Sequence, residues 1–189
     1  MPVFLDTNDA DFEPAFAALL AAKREDSPDV DEIVAAIIAD VRARGDAAVI
    51  ELTARFDRLE LTPETLAFTP AEIAAAIETV PAAERDALEL AAERIRAYHV
   101  RQMPEDARWT DPDGATLGWR WSPVSAAGLY VPGGLASYPS SVLMNAVPAK
   151  VAGVARLAVA VPTPDGQVNP LVLLAAHLAG VDEIYRIGG

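Results

Sequence analysis

Apolar positions recur at helical spacing through most of the first hundred residues. Phe12, Phe16, Leu19 and Leu20 form one stripe and predict a helix over residues 8–25. Asp9, Asp11 and Glu13 crowd its first turn and Lys23 and Arg24 its end, both the favourable sign for the helix dipole. Ser27-Pro28 supplies a cap and a first helical position for a second helix. Along it Val30, Ile33, Val34, Ile37, Ile38 and Val41 repeat almost without a flaw, and Gly45 is the expected stop. A third helix is expected over residues 47–56. Thr69-Pro70-Ala71-Glu72 has the form of a capping box and opens a helix to about Val80. Pro81 opens another to about Gln102, carried on Leu88, Ala91, Ala92, Ile95 and Tyr98. Residues 59–68 read as loop or a short strand.

The pattern then changes. Pro104, Asp111-Pro112-Asp113-Gly114 and Pro123 punctuate residues 104–127, and Asp113-Gly114 reads as the turn of a two-stranded hairpin near 109–121. Trp109, Trp119 and Trp121 alternate along it, an aromatic set expected to serve as core or interface. From residue 128 the rhythm is strand, helix, strand, helix, strand. Strands are expected at 127–131, 156–161 and 183–187, and helices from Ser140 to about Gly153 and from Asn169-Pro170 to Gly180. The second helix is expected to present Leu171, Leu174, Ala175 and Leu178 on one face. Apolar strands alternating with helices predict a parallel sheet buried on both sides, with right-handed crossovers. The fold class is therefore α/β: a helix-rich acidic segment with a short hairpin, residues 1–127, then a βαβαβ parallel unit, residues 128–189. A three-stranded parallel sheet ending at Gly188-Gly189 leaves an apolar edge open, so the unit reads as incomplete and the sequence as cut.

Composition narrows the partners. The net charge is −13 over 189 residues, and all of it lies in residues 1–127, because the three basic and three acidic residues of 128–189 cancel. So acidic a chain repels phosphate backbones, which excludes nucleic acid and anionic membrane as partners. No apolar run is long enough for a membrane span and no secretory signal is visible. Cysteine is absent, so disulfides, thiolate metal sites and cysteine nucleophiles are excluded, in keeping with a cytoplasmic protein. The only histidines, His99 and His177, are far apart in sequence and show no metal-ligand spacing. His99 reads as structural and His177 as a surface position. The acidic residues read as solvated helix faces, with no paired carboxylates for acid–base work.

Parallel sheets bind ligands at the carboxyl ends of their strands. The first such end is Tyr130-Val131-Pro132-Gly133-Gly134, where paired glycines let backbone approach a ligand. Ser140 and Ser141 follow at a helix start, where hydroxyls and free N–H groups favour an anion. Neither a dinucleotide fingerprint nor a P-loop is present.

The stretch from Gly128 to Val154, containing LYVPGG and then PSSVLMNAVPAKVAGV, resembles the histidinol dehydrogenase family. Residues 41–57, Tyr98-His99 with Gln102, Asn169-Pro170-Leu171 and residues 179–185 are similar to further family segments, so the resemblance runs from about Ser27 onward. It implies an incomplete Rossmann-like unit within an NAD-dependent zinc enzyme that oxidises L-histidinol through the aldehyde to L-histidine, usually as a homodimer. It implies cofactor contact at Tyr130, with Pro132 and Gly133 as backbone neighbours and Ser140 and Ser141 as weaker substrate-side candidates. It also implies that the zinc ligands and the Glu-His acid–base pair lie outside these residues, which stop inside the family's GGAQA motif. These residues alone are then expected to be inactive. The alternative is a naturally short, non-catalytic protein of the same fold that binds a nucleotide or serves assembly.

Overall fold

The computed structural model describes residues 4–22, 28–132 and 138–188. Contacts divide the chain into two units, residues 1–48 and 49–189. In the first unit lie α1 (Phe12–Ala22) and α2 (Pro28–Arg44). Phe12 and Phe16 stack one turn apart along α1, and Arg44 pairs with Asp40 one turn back along α2. The apolar stripe of α2 is where the periodicity put it, yet Val30, Ile33, Val34 and Ile38 are all exposed. Lys23, Arg24 and the Ser27 cap lie outside the described residues.

The unit boundary falls within α3 (Asp46–Asp57). α4 (Pro70–Glu78) carries the expected capping box in both directions: Thr69 Oγ1 accepts from the Glu72 N–H, and Glu72 accepts from the Thr69 N–H. α5 (Ala82–Val100) starts one residue later than the proline suggests, with Pro81 as the cap position. β1 (Ala107–Thr110) and β2 (Thr116–Trp119) form the antiparallel hairpin. Asp111 ties its turn by accepting from the N–H groups of Asp113 and Ala115. The tryptophans are not core: Trp109 and Trp119 meet edge to face at 5.3 Å, and both stay exposed, as does Trp121 beyond the strand.

The main sheet is β3 (Ala126–Tyr130), β4 (Arg156–Ala160) and β5 (Glu183–Tyr185), all parallel, in the order β3-β4-β5. α6 (Pro139–Val151) and α7 (Pro170–Ala179) are the crossovers. This is an α/β fold with a partial Rossmann-like unit. The strand order never reverses, so two right-handed crossovers put both helices on one face. Leu157, Val159, Val161 and Ile184 bury there against α6 and α7, with Ala127 and Leu129 packed beside them. The intervening residues Gly128, Tyr130 and Ala126 face the other way and are exposed. The expected burial on both sides is thus corrected to one side. α7 differs from its expected single face, because Val172, Leu173, Leu174, Ala175, Ala176 and Ala179 are all buried. It is wrapped by α4, α5 and α6 in addition to the sheet. Gly180, in the left-handed conformation, closes it.

The edge beside β5 is not open. Phe68 N–H donates to the Ile184 carbonyl and Arg186 N–H to the Leu66 carbonyl, both at 2.8 Å, so residues 66–68 cap that edge. Arg186 fixes this segment by donating to the carbonyls of Thr65 and Ala67, pairing with Glu72, and lying 3.7 Å over the Phe68 ring. Glu72 therefore serves the cap of α4 and the sheet edge at once. These bonds, from the Thr69 N–H first and Arg186 among the rest, hold its carboxyl below the usual range.

Charges also tie the amino ends of the strands. Asp182 Oδ2 accepts from Lys150 Nζ at 2.6 Å and from the Leu157 N–H at 2.7 Å. Glu183 takes both arms of Arg156 and the Tyr185 hydroxyl. Arg156, then Tyr185, hold the Glu183 carboxyl at about 2, against an ordinary 4.5. A depressed folded-state value gives stability that is complete above the unfolded-state value and lost as pH falls towards the folded one. The urea midpoint is therefore expected to drop between pH 4.5 and about 2. Glu183→Gln should lower it at neutral pH and shrink the drop, and an identical acid profile in both proteins would refute the assignment. Solvent screening of this exposed pair keeps the effect modest.

Candidate functional site

The carboxyl end of the sheet is built differently from the charged amino end. Tyr130 closes β3 and lies in one cross-strand row with Ala160 and Tyr185 on the uncovered face. Backbone pairing runs one residue further, with Val131 N–H on the Ala160 carbonyl at 3.0 Å and Val161 N–H on the Tyr185 carbonyl at 2.9 Å. Then Pro132 and Pro162, which lack an N–H, end both ladders side by side in the chain pattern. Pro132 is exposed.

Tyr130 is 54% exposed, and its ring edge meets Gly188. A Cβ at Gly188 would stand 2.8 Å from Pro162 Cγ and 2.9 Å from Tyr130 Cε2, and φ there is +150°. Only glycine fits. Tyr130, Pro162 and Gly188 therefore converge from β3, β4 and β5 into one shallow wall beside the sheet. Gly188 was not among the sequence candidates, although a glycine pair directly after a strand is the available signal for such an approach.

The other candidates lie on the same end by topology, because the β3–α6 connection starts there. Gly133 lies outside the described residues. Ser140 is exposed and Ser141 half-buried in the first turn of α6. That helix starts one residue earlier than the serines suggest, with Tyr138 at the cap and Pro139 first. Ser141 N–H is consequently not free: it donates to the Tyr138 carbonyl at 3.0 Å. What remains at this helix start is the exposed Ser140 hydroxyl and the positive end of the helix dipole.

The loop that follows β4 supplies Pro162 to this wall. It holds a 3-10 turn at Pro164–Gly166, and Asp165 there pairs with Arg58 through two bonds of 2.7 and 2.6 Å. Each partner shifts the other in the expected sense: Arg58 holds the Asp165 carboxyl below its ordinary range. A hollow of about 530 Å³ lies elsewhere, along the hairpin between Asp106–Arg108 and Thr116–Arg120. It lies open against exposed strands rather than enclosing a ligand, so the strand ends are the better candidate.

No cluster of three or more histidine, cysteine or acidic side chains suited to a metal occurs among the described residues. His177 is exposed on α7. His99, near the end of α5, is half-buried edge-on to Tyr98 at 5.2 Å.

Comparison with known proteins gives one answer. The family model described as histidinol dehydrogenase matches residues 20–189. The histidinol dehydrogenases of Ruegeria pomeroyi and Cereibacter sphaeroides are each 78% identical over all 189 residues, which make up 44% of those proteins. A crystal structure of histidinol dehydrogenase from Elizabethkingia anophelis superposes with a TM-score of 0.82 at 31% identity, covering 87% of this chain and 38% of that one. The chain thus spans less than half the length of these relatives.

The wall itself can be tested by coupling. Gly188→Ala is expected to destabilise by about 1–3 kcal/mol, because the added methyl overlaps a ring and a proline. In a Tyr130→Ala background the cost should fall by roughly 0.5 kcal/mol or more. Equal costs in urea denaturation would mean that the ring does not rest on Gly188.

Proposed function

The chain belongs to the histidinol dehydrogenase family, and we propose that it forms the NAD-facing portion of an NAD-dependent enzyme that oxidises L-histidinol through the aldehyde to L-histidine. The family membership makes it part of an oxidoreductase of histidine biosynthesis. The observation that carries the nucleotide assignment is the wall at the strand ends. A half-exposed tyrosine backed by a glycine with no room for a Cβ is a cradle for a flat group.

The residues fit the cofactor in kind. Tyr130 offers a ring face and Pro132 backbone, and the start of α6 offers the Ser140 hydroxyl and the helix dipole to a phosphate. NAD, when bound, accepts the hydride. The chain's own contribution is placement: Gly188 and Pro162 fix the Tyr130 ring, and the one-sided sheet leaves the approach clear. The described residues do not fit zinc, because no donor set gathers among them. The zinc that the family implies would be held by other residues.

A homodimer goes with the same reading. The exposed apolar stripe of α2 supports it, since Val30, Ile33, Val34 and Ile38 on one helix suit burial against a partner. A cytoplasmic location also goes with it. No helix among the described residues is long and apolar enough to cross a membrane, and a biosynthetic family has its substrates there.

The test is NAD titration of the complete protein and of its Tyr130→Ala variant. Wild type should show saturable binding, and Tyr130→Ala should weaken it by about tenfold or more, the worth of one lost stacking contact. Zinc content should stay unchanged. Equal loss of zinc and NAD would sink the assignment of Tyr130.

A further inference from the structure

Two adjacent residues at the end of α3, Asp57 and Arg58, grip the loop after β4 from a distance of more than a hundred residues in sequence. Asp57 Oδ2 accepts the Thr163 N–H at 3.3 Å, and Arg58 takes both carboxylate oxygens of Asp165. We infer that Asp57 and Arg58 are positioning residues for the nucleotide edge, holding residues 162–167 so that Pro162 backs the Tyr130 ring. The inference rests on the NAD reading above and extends it to residues that touch no ligand.

Three observations point away from a merely incidental contact. Asp57 is only 4% exposed, and it sits at the carboxyl end of a helix, where the dipole disfavours a negative charge. What the site gains is an acceptor for the first N–H that β4 has left without a sheet partner, since Val161 still pairs with Tyr185 and Pro162 has none. Second, Arg58 and Asp165 are the only non-glycine residues with positive φ among the described residues, both at 54°. An arginine in that region is strained, and glycine would do better after a helix. The strain sits at both ends of one bidentate pair. Third, the pair is about 60% exposed on each side, so it adds little to global stability. A strained, exposed pair that contributes little to folding is explained by what it holds. Thr163, between the two grips, is fully buried, and Pro162 before it lies against the position where Gly188 meets Tyr130.

The experiment uses the complete protein and reads NAD affinity beside the urea midpoint. Arg58→Gly suits a φ of 54° and removes the grip. It is expected to unfold no earlier than wild type, yet bind NAD about fivefold more weakly, because the edge is no longer preorganised. Asp165→Asn, which tolerates the same backbone, should lose affinity similarly, and Arg58→Lys should recover part of the loss. Asp57→Asn keeps an acceptor oxygen and should stay within about twofold of wild type, while Asp57→Ala should not. Wild-type affinity in both Arg58→Gly and Asp165→Asn would overturn the positioning role and leave the NAD reading standing. A folded wild type that binds no NAD would overturn the NAD reading, and the positioning role with it.

Discussion

The strand order runs one way, and the site follows from that. In a sheet ordered β3-β4-β5, two right-handed crossovers must lie on the same face. α6 and α7 therefore pack on each other and on one side of the sheet, where the core gathers around Leu143, Leu157, Val159 and Leu173. The opposite side keeps small and polar residues, with Gly128, Ala158 and Glu183 in one row and Tyr130, Ala160 and Tyr185 in the next. A tyrosine on that side cannot be a core residue, however apolar its neighbours in sequence. It remains half-exposed at a strand end.

The two ends of the sheet then divide the work. At the amino end, charged groups bind strand to strand and strand to helix: Arg156 to Glu183, and Lys150 to Asp182 and the Leu157 amide. At the carboxyl end the ladder stops on prolines, and a glycine admits a ring. Rigid electrostatic anchoring at one end allows the other to be shaped for contact. The capped edge beside β5 completes the frame, since Arg186 gathers the 65–68 segment, Phe68 and Glu72 into one cluster. The same Glu72 starts α4, so the outer helix and the sheet edge are positioned together.

Local signals were legible in the sequence. The Thr69–Glu72 capping box, the Asn169 cap, the glycine stops at 45 and 180 and the hairpin turn at Asp113-Gly114 each depend on residues a few positions apart. The strand–helix alternation gave the parallel sheet and placed Tyr130 at a strand end. What the sequence hid is long-range. Periodicity reports that α2 has an apolar stripe but not whether anything covers it, and Val30 and Ile33 are exposed. Apolar strands suggested two buried faces because Ala and Gly count as apolar while needing no cover. The Asp57–Thr163 and Arg58–Asp165 contacts join segments with no shared motif. Gly188 was visible as a glycine but not as the floor beneath Tyr130.

The chemistry of the wall limits what this part of the enzyme contributes. Tyr130, Pro132, Pro162 and Gly188 present ring, methylene and backbone surfaces with one phenol hydroxyl among them. On the loop that follows β4, Asp165 is spent on Arg58. A surface of this kind lowers a barrier only by holding reactants in place, which is worth much when the geometry is fixed before binding. That is why the supports matter more here than any single contact. The ring is placed by a glycine and a proline, the proline by a loop, and the loop by two residues at the end of a distant helix. In the proposed function, a dehydrogenase built on such an edge would draw its acid–base groups from other residues and take from this one the position of its cofactor.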